Sequence, residues 1–151
     1  SPFYFFQSKK ALLHAVMQEG MARAEASQVA ALKALGARAP AQDRLRTLVR
    51  HHFEVLLGEG SDFIPVMLFE WRSLDATQQQ DVRALKDAYE GVWMPVLRAL
   101  HRAGRLKARP EVARLFIFGA LNWSVQWFSD RGALSLDDLT AQALLLFTEQ
   151  A

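Results

Sequence analysis

The sequence predicts an all-α domain of about six helices, and three observations carry that expectation. Apolar residues recur at spacings of three and four along the chain, no segment alternates apolar and polar residues for long, and Gly and Pro fall between the periodic segments. The first helix is expected from Ser8 to about Leu35, with Leu12, Leu13, Val16, Met17 and Met21 on its apolar side and Gly36 as its stop. At ~1.5 Å per residue it would be roughly 40 Å long. Pro40 and Asp43 open a second helix carrying Leu45, Leu48, Val49, Phe53, Leu56 and Leu57, closed by Gly58 and Gly60. A third starts from a Ser61 cap, takes Pro65 within its first turns and reaches about Leu74. Thr77 is the expected cap of a fourth that runs to Ala103 before Gly104. A kink is expected just ahead of Pro95, because proline removes one N–H from the ladder and its ring crowds the preceding turn. The fifth runs from near Pro110 through Trp127 and is apolar on all sides, so more than its own core must cover it. The last opens on Ser135-Leu136-Asp137-Asp138, a serine with a carboxylate three residues later as in a capping box, and carries Leu144-Leu145-Leu146-Phe147.

The chain has 151 residues, 51% hydrophobic and 23% charged, enough for one globular core and too apolar for a disordered chain. Its net charge of +2 excludes a generally basic nucleic-acid coat, so charge-driven contacts must be local. Cysteine is absent, which removes disulfides, thiolate metal sites and cysteine nucleophiles. The longest apolar runs, Leu115 to Leu121 and Ile64 to Phe69, are far too short to span a membrane, and no signal-peptide pattern opens the sequence. A cytoplasmic location is expected. Because Ser1 already lies in an aromatic structural element, the chain is also expected to be part of a longer protein.

Catalytic patterns are missing. There is no serine elbow, and no glutamate has a histidine three residues later, as di-iron bundles require. His51 and His52 are neighbours, so a helix points them ~100° apart and they cannot chelate one ion; surface histidines or a single pocket-lining one remains the reading. Gly58-Glu59-Gly60 lacks the strand and third glycine of a phosphate loop, and a helix terminator explains it. Asn122-Trp123-Ser124 matches a glycosylation triplet but lies inside an apolar helix. No enzyme activity, cofactor or metal is expected.

Three features stand out. Phe3-Tyr4-Phe5-Phe6 is followed by Gln7-Ser8-Lys9-Lys10, where two lysines in the first turn of a helix would oppose its dipole unless an anion lies near; plain solvation is the alternative. Phe53, Phe63, Met67, Trp71, Tyr89, Trp93, Met94, Phe116, Trp123 and Trp127 form an aromatic and methionine set over four helices, which fits either a core or an adaptable apolar pocket. Arg98, Arg102, Arg105, Lys107, Arg109 and Arg114 make a basic corner, which either complements a helix C-terminus or meets an anionic ligand.

The segment from Ser1 to Leu13 resembles the end of the DNA-binding domain of TetR-type transcriptional regulators. In that family a Tyr-x-x-Phe-like segment closes the recognition helix, and a Ser-Lys pair opens the long helix joining it to the ligand domain. The resemblance implies that residues 1–7 end the recognition helix and residues 8–151 form the ligand-binding and dimerisation domain, its helices matching the family's fourth through ninth. It further implies that Tyr4 and Lys9 approach phosphates of operator DNA in the intact protein, and that two copies pair through a four-helix bundle. The bundle would be built from residues near 110–129 and 136–150. Glu70-Trp71-Arg72-Ser73-Leu74, Tyr89-Glu90, Gly119-Ala120-Leu121-Asn122-Trp123, Trp127-Phe128 and Gly132-Ala133-Leu134-Ser135 are similar to a branch that responds to acyl-coenzyme A thioesters. On this reading a repressor binds a small apolar or acyl-CoA-like effector at Phe53, Met67, Trp71, Arg72, Tyr89, Trp93, Phe116 and Asn122. The alternative is a helical small-molecule carrier or sequestration protein without DNA binding; no membrane partner is expected.

Overall fold

The computed structural model describes residues 2–59 and 61–150, the Phe6 side chain excepted. Seven α-helices and two short 3-10 turns account for the regular structure: α1 (Pro2–Leu35), α2 (Ala41–Leu57), α3 (Phe63–Glu70) followed by a turn at Trp71–Ser73, α4 (Ala76–Gly91), α5 (Met94–Arg102), α6 (Pro110–Trp123) followed by a turn at Ser124–Gln126, and α7 (Leu136–Phe147). No strand occurs among the described residues.

Several boundaries differ from expectation. α1 begins at Pro2 and passes through Ser8 without a break, so its 34 residues measure about 50 Å rather than 40. Ser61 does not cap α3; Asp62 occupies that position without a side-chain cap, and the Ser61 carbonyl accepts from the Ile64 N–H at 3.1 Å. Asp75, not Thr77, caps α4, accepting from Gln78 N at 2.8 Å while Gln78 Oε1 accepts from Asp75 N at 3.0 Å. The kink expected before Pro95 is a full interruption that separates α4 from α5, with Pro95 inside the first turn of the new helix. α6 stops at Trp123, four residues short of the expected Trp127. The Ser135–Asp138 capping box of α7 is present as expected. Gly36 and Gly104 end α1 and α5 with φ of 101° and 75°, a conformation that favours glycine, whereas Gly58 ends α2 in an extended conformation. Gly60 lies outside the described residues.

The main core draws Met21 and Ala24 from α1, Leu45, Leu48 and Phe53 from α2, Trp93 and Leu97 from the α4–α5 junction, Ile117, Phe118 and Leu121 from α6, and Leu139 and Leu144 from α7. A smaller cluster of Met17, Leu74 and Val82 lies under α3 and its turn, and Met67 packs against both. α1 therefore runs beside both clusters. Gly20 is where α1 and α3 meet most closely, since a Cβ added there would clash with the Phe63 ring. Gln28, fully buried on α1, ties that helix to the α4–α5 junction: its Nε2 donates to the Tyr89 carbonyl at 3.0 Å and its Oε1 accepts from Trp93 Nε1 at 2.8 Å.

Candidate functional site

A largely apolar cavity of about 100 Å³ lies between α1, α2, α3, α4 and α6. That is far more than one water requires and suits a small apolar group. Each helix contributes by helical spacing: Met21 and Ala24 from α1, His52, Val55 and Leu56 from α2, Phe63, Ile64, Met67 and Leu68 from α3, Lys86, Tyr89 and Glu90 from α4, Phe118 and Asn122 from α6. Val125 completes the lining from the turn after α6.

One wall is a hydrogen-bonded polar group. His52 Nε2 lies 2.8 Å from Asn122 Oδ1, and His52 Nδ1 lies 2.9 Å from the Tyr89 hydroxyl. The amide oxygen only accepts, so Nε2 carries the proton and the Tyr89 O–H donates to Nδ1. The imidazole is buried and meets Trp93 and Phe118 edge-on, with ring centres 5.9 and 5.1 Å away. Burial pushes the His52 pKa from 6.5 to about 4, against the hydrogen bond to Asn122 and with help from neighbouring His51. Burial also raises the Tyr89 phenol well above its ordinary value, reinforced by the Glu25 and Glu90 carboxylates. The contacts continue outward, with Tyr89 Oη 3.4 Å from His51 Nδ1 and His51 Nε2 2.7 Å from Ser27 Oγ on α1.

A second polar group borders the cavity. Glu90 is buried and accepts from Arg114 Nε at 2.9 Å, with Lys86 Nζ at 3.8 Å, and Arg114 also donates to Asp87 at 3.3 Å. A guanidinium beside the carboxylate is what keeps a buried charge tolerable.

Of the residues expected to bind a ligand, the structure brings Met67, Tyr89 and Asn122 to the cavity. Phe53 and Trp93 are buried in the core and do not line it. Trp71, Arg72 and Phe116 are elsewhere. Trp71 packs on the Met17–Leu74–Val82 cluster, its ring 5.5 Å from the Arg83 guanidinium carbon. Arg72 borders a separate groove with Lys9, Lys10, Ser73 and Leu74. Both sit on the 3-10 turn, whose three residues per turn rotate them off the stripe by which α3 faces the cavity. Phe116 is 71% exposed: two positions before Phe118, it lies ~200° around α6 from the cavity wall.

Tyr4 and Lys9 are exposed on α1. Because α1 runs unbroken through Ser8, Lys9 does not lie in a first turn, and the expected opposition to the helix dipole does not arise. The basic corner does not line the cavity; Lys107 lies 3.8 Å from Glu149, Arg109 lies 3.9 Å from Glu111, and Arg114 holds Glu90. Among the described residues no group of His, Asp or Glu could hold a metal ion, and no helix is long and apolar enough to cross a membrane.

The residues that sequence reasoning passed over are Gln28, Lys86 and Glu90; His52 is the single pocket-lining histidine that the sequence left open, here at the centre of the polar wall. A signal for His52 existed: it falls on the stripe Leu45, Leu48, Val49, His52, Leu56, which turns inward at helical spacing. Nothing in the sequence marks Gln28, which sits among alanines and reads as solvated.

Likeness to solved structures extends over the whole chain. The superantigen PfiT is 34% identical with a TM-score of 0.84, covering 100% of this chain and 79% of its own. AibR, in complex with isovaleryl coenzyme A and operator DNA, is 22% identical with a TM-score of 0.79, covering 93% and 75%. PfmR, a TetR-family transcriptional regulator from Thermus thermophilus, is 22% identical with a TM-score of 0.77, covering 95% and 77%. No curated protein sequence matches the chain. Residues 38–151, from the end of α1 through α7, match the family described as "Tetracyclin repressor-like, C-terminal domain", and by that match the chain belongs to this family of TetR-type regulator domains.

Proposed function

We propose that residues 8–151 are the effector-binding and dimerisation part of a TetR-type repressor, and that residues 1–7 end its DNA-recognition helix. A small apolar or acyl-CoA-like effector in the cavity changes its affinity for operator DNA. The observation that carries this is the position of α1, which supplies Met21 and Ala24 to the cavity wall and Tyr4 and Lys9 at its other end. In a two-fold dimer the recognition helices must sit about 34–36 Å apart to enter successive major grooves, so a small tilt of α1 spoils the fit. An effector does this only by preferring the tilted state; a ~10⁴-fold preference, ~5.5 kcal/mol, throws the equilibrium fully. AibR supports the acyl-CoA form of the reading. The cavity of about 100 Å³ has room for a small acyl group but not for a nucleotide, which would lie outside it.

The dimer would use the outer faces of α6 and α7, where Leu115, Phe116, Trp123, Leu145 and Leu146 are exposed, together with Trp127 beyond α6. Calorimetric titration with isovaleryl coenzyme A tests the effector. Binding that Phe63→Trp abolishes supports the cavity, and binding indifferent to that change places the thioester elsewhere. The 34% identity to PfiT favours a second reading, in which an exposed face of the fold binds an immune receptor. T-cell stimulation by the purified chain would support that reading over the first.

A further inference from the structure

The cavity has a polar inventory that can be followed to the last atom. Its polar lining side chains are His52, Lys86, Tyr89, Glu90 and Asn122. Both ring nitrogens of His52 are engaged, Nε2 donating to Asn122 and Nδ1 accepting from Tyr89. The Tyr89 hydroxyl spends its proton on His52 and lies 3.4 Å from His51 Nδ1. Glu90 is held by Arg114 and faces Lys86, so that carboxylate and ammonium answer each other. Lys86, 3.8 Å from Glu90, keeps its N–H donors beside that carboxylate, and among the uncharged groups Asn122 is the incomplete one. Its Oδ1 accepts from His52, and among the described residues no acceptor in the chain meets its Nδ2, which keeps two N–H donors.

We infer that the cavity selects a compact, neutral, apolar molecule bearing one carbonyl oxygen, a ketone, ester, lactone or thioester, with that oxygen accepting from Asn122 Nδ2. The inference rests on the cavity being the effector site and goes beyond it to the class of effector. A carbonyl has the acceptor that the amide lacks and no proton that needs a partner. A carboxylate matches poorly, because an anion would leave water for apolar walls, an uncharged imidazole and the Glu90 carboxylate, while Lys86 is already paired. An alcohol brings a proton that must share acceptors already engaged, Asn122 Oδ1 with His52 or the Glu90 carboxylate with Arg114.

The test compares 2-heptanone, 2-heptanol and hexanoate, molecules of similar size, by calorimetric titration of the chain at neutral pH. 2-Heptanone should bind about tenfold more tightly than either of the others, the difference one satisfied hydrogen bond makes. Its ¹³C-labelled carbonyl resonance should stay near its value in water on binding, because the Asn122 N–H replaces a water hydrogen bond, whereas a bound carbonyl without a donor would move to lower frequency. Asn122→Asp keeps an acceptor for His52 Nε2 and removes the N–H donors, so it should erase the preference and move the resonance of any bound ketone to lower frequency. Should that variant not fold, the ranking and the resonance in the unaltered chain decide. Hexanoate binding as tightly as the ketone would overturn the carbonyl assignment and leave the cavity as an effector site. So would 2-heptanol binding best, which would mean that the amide turns its oxygen to the cavity. If none of the three binds, the carbonyl assignment falls, and the isovaleryl coenzyme A titration alone decides whether the cavity is an effector site.

Discussion

His52 shows what one buried side chain does to the whole fold. In the unfolded chain it takes a proton near pH 6.5, whereas in the folded chain burial delays protonation to about 4. Its contribution to stability is therefore complete above pH 6.5, declines as the pH falls from there to about 4, and levels off once both states are protonated. The loss over that window is ~3 kcal/mol. Urea midpoints measured from pH 7 to 4 should show this decline, and His52→Gln should flatten it; an unchanged slope in the variant would show that other groups cause it. The two central tryptophans should behave differently. Trp93 is fully buried, so Trp93→Ala should cost ~3–5 kcal/mol of stability. Trp71→Ala should cost ~1–2 kcal/mol and leave 2-heptanone affinity unchanged, because its ring lies outside the cavity. Sequence could name both as large apolar residues at helical spacing but could not separate them. The separation depends on Trp71 falling in a 3-10 turn, a matter of backbone hydrogen bonding that periodicity does not encode. For Met67, Tyr89 and Asn122 the periodicity was sufficient, since each sits where the inward stripe of a regular helix places it.

At the scale of elements, the caps and breakers were the most legible features. Ser135 with Asp138, Gly36, Gly104 and Pro95 each act through local geometry, and each marks a boundary in the structure. Asp75 was missed because it competed with Thr77, a neighbour of similar capping chemistry, and Ser8 proved to lie inside a helix rather than at its start. The extension of α1 to Pro2 changes what Lys9 should do. Replacing a cation in a first turn would stabilise the helix, but replacing one well inside it should not. Lys9→Ala should therefore shift the stability of this chain by no more than ~0.5 kcal/mol. In a protein that carries the operator-reading domain, the same change should weaken binding to all DNA sequences alike and lower the salt slope by about one. Loss of affinity at selected sequences only would mean that Lys9 contacts a base rather than a phosphate.

For the whole molecule, the exposed side chains of α6 and α7 are the decisive feature. Phe116 is 71% and Leu146 80% exposed, and a face of that character in water calls for a partner. An obligate interface should bury over ~2,000 Å² in total. Sedimentation should show a dimer at micromolar concentration, and Phe116→Glu together with Leu146→Glu should convert it to a monomer. A monomer in the unaltered chain at that concentration would remove the interface from these helices.

The absence of a side chain at Gly20 has a consequence of a mechanical kind. The Phe63 ring rests directly on the α1 backbone, so the cavity wall and the long helix are in contact without slack. Whatever pushes the ring toward α1 must move that helix, and because hard-core repulsion rather than charge does the pushing, salt should leave the transmission intact. From Gly20 to Pro2 the helix projects ~27 Å, so each degree of rotation about that contact sweeps the far end through about half an ångström.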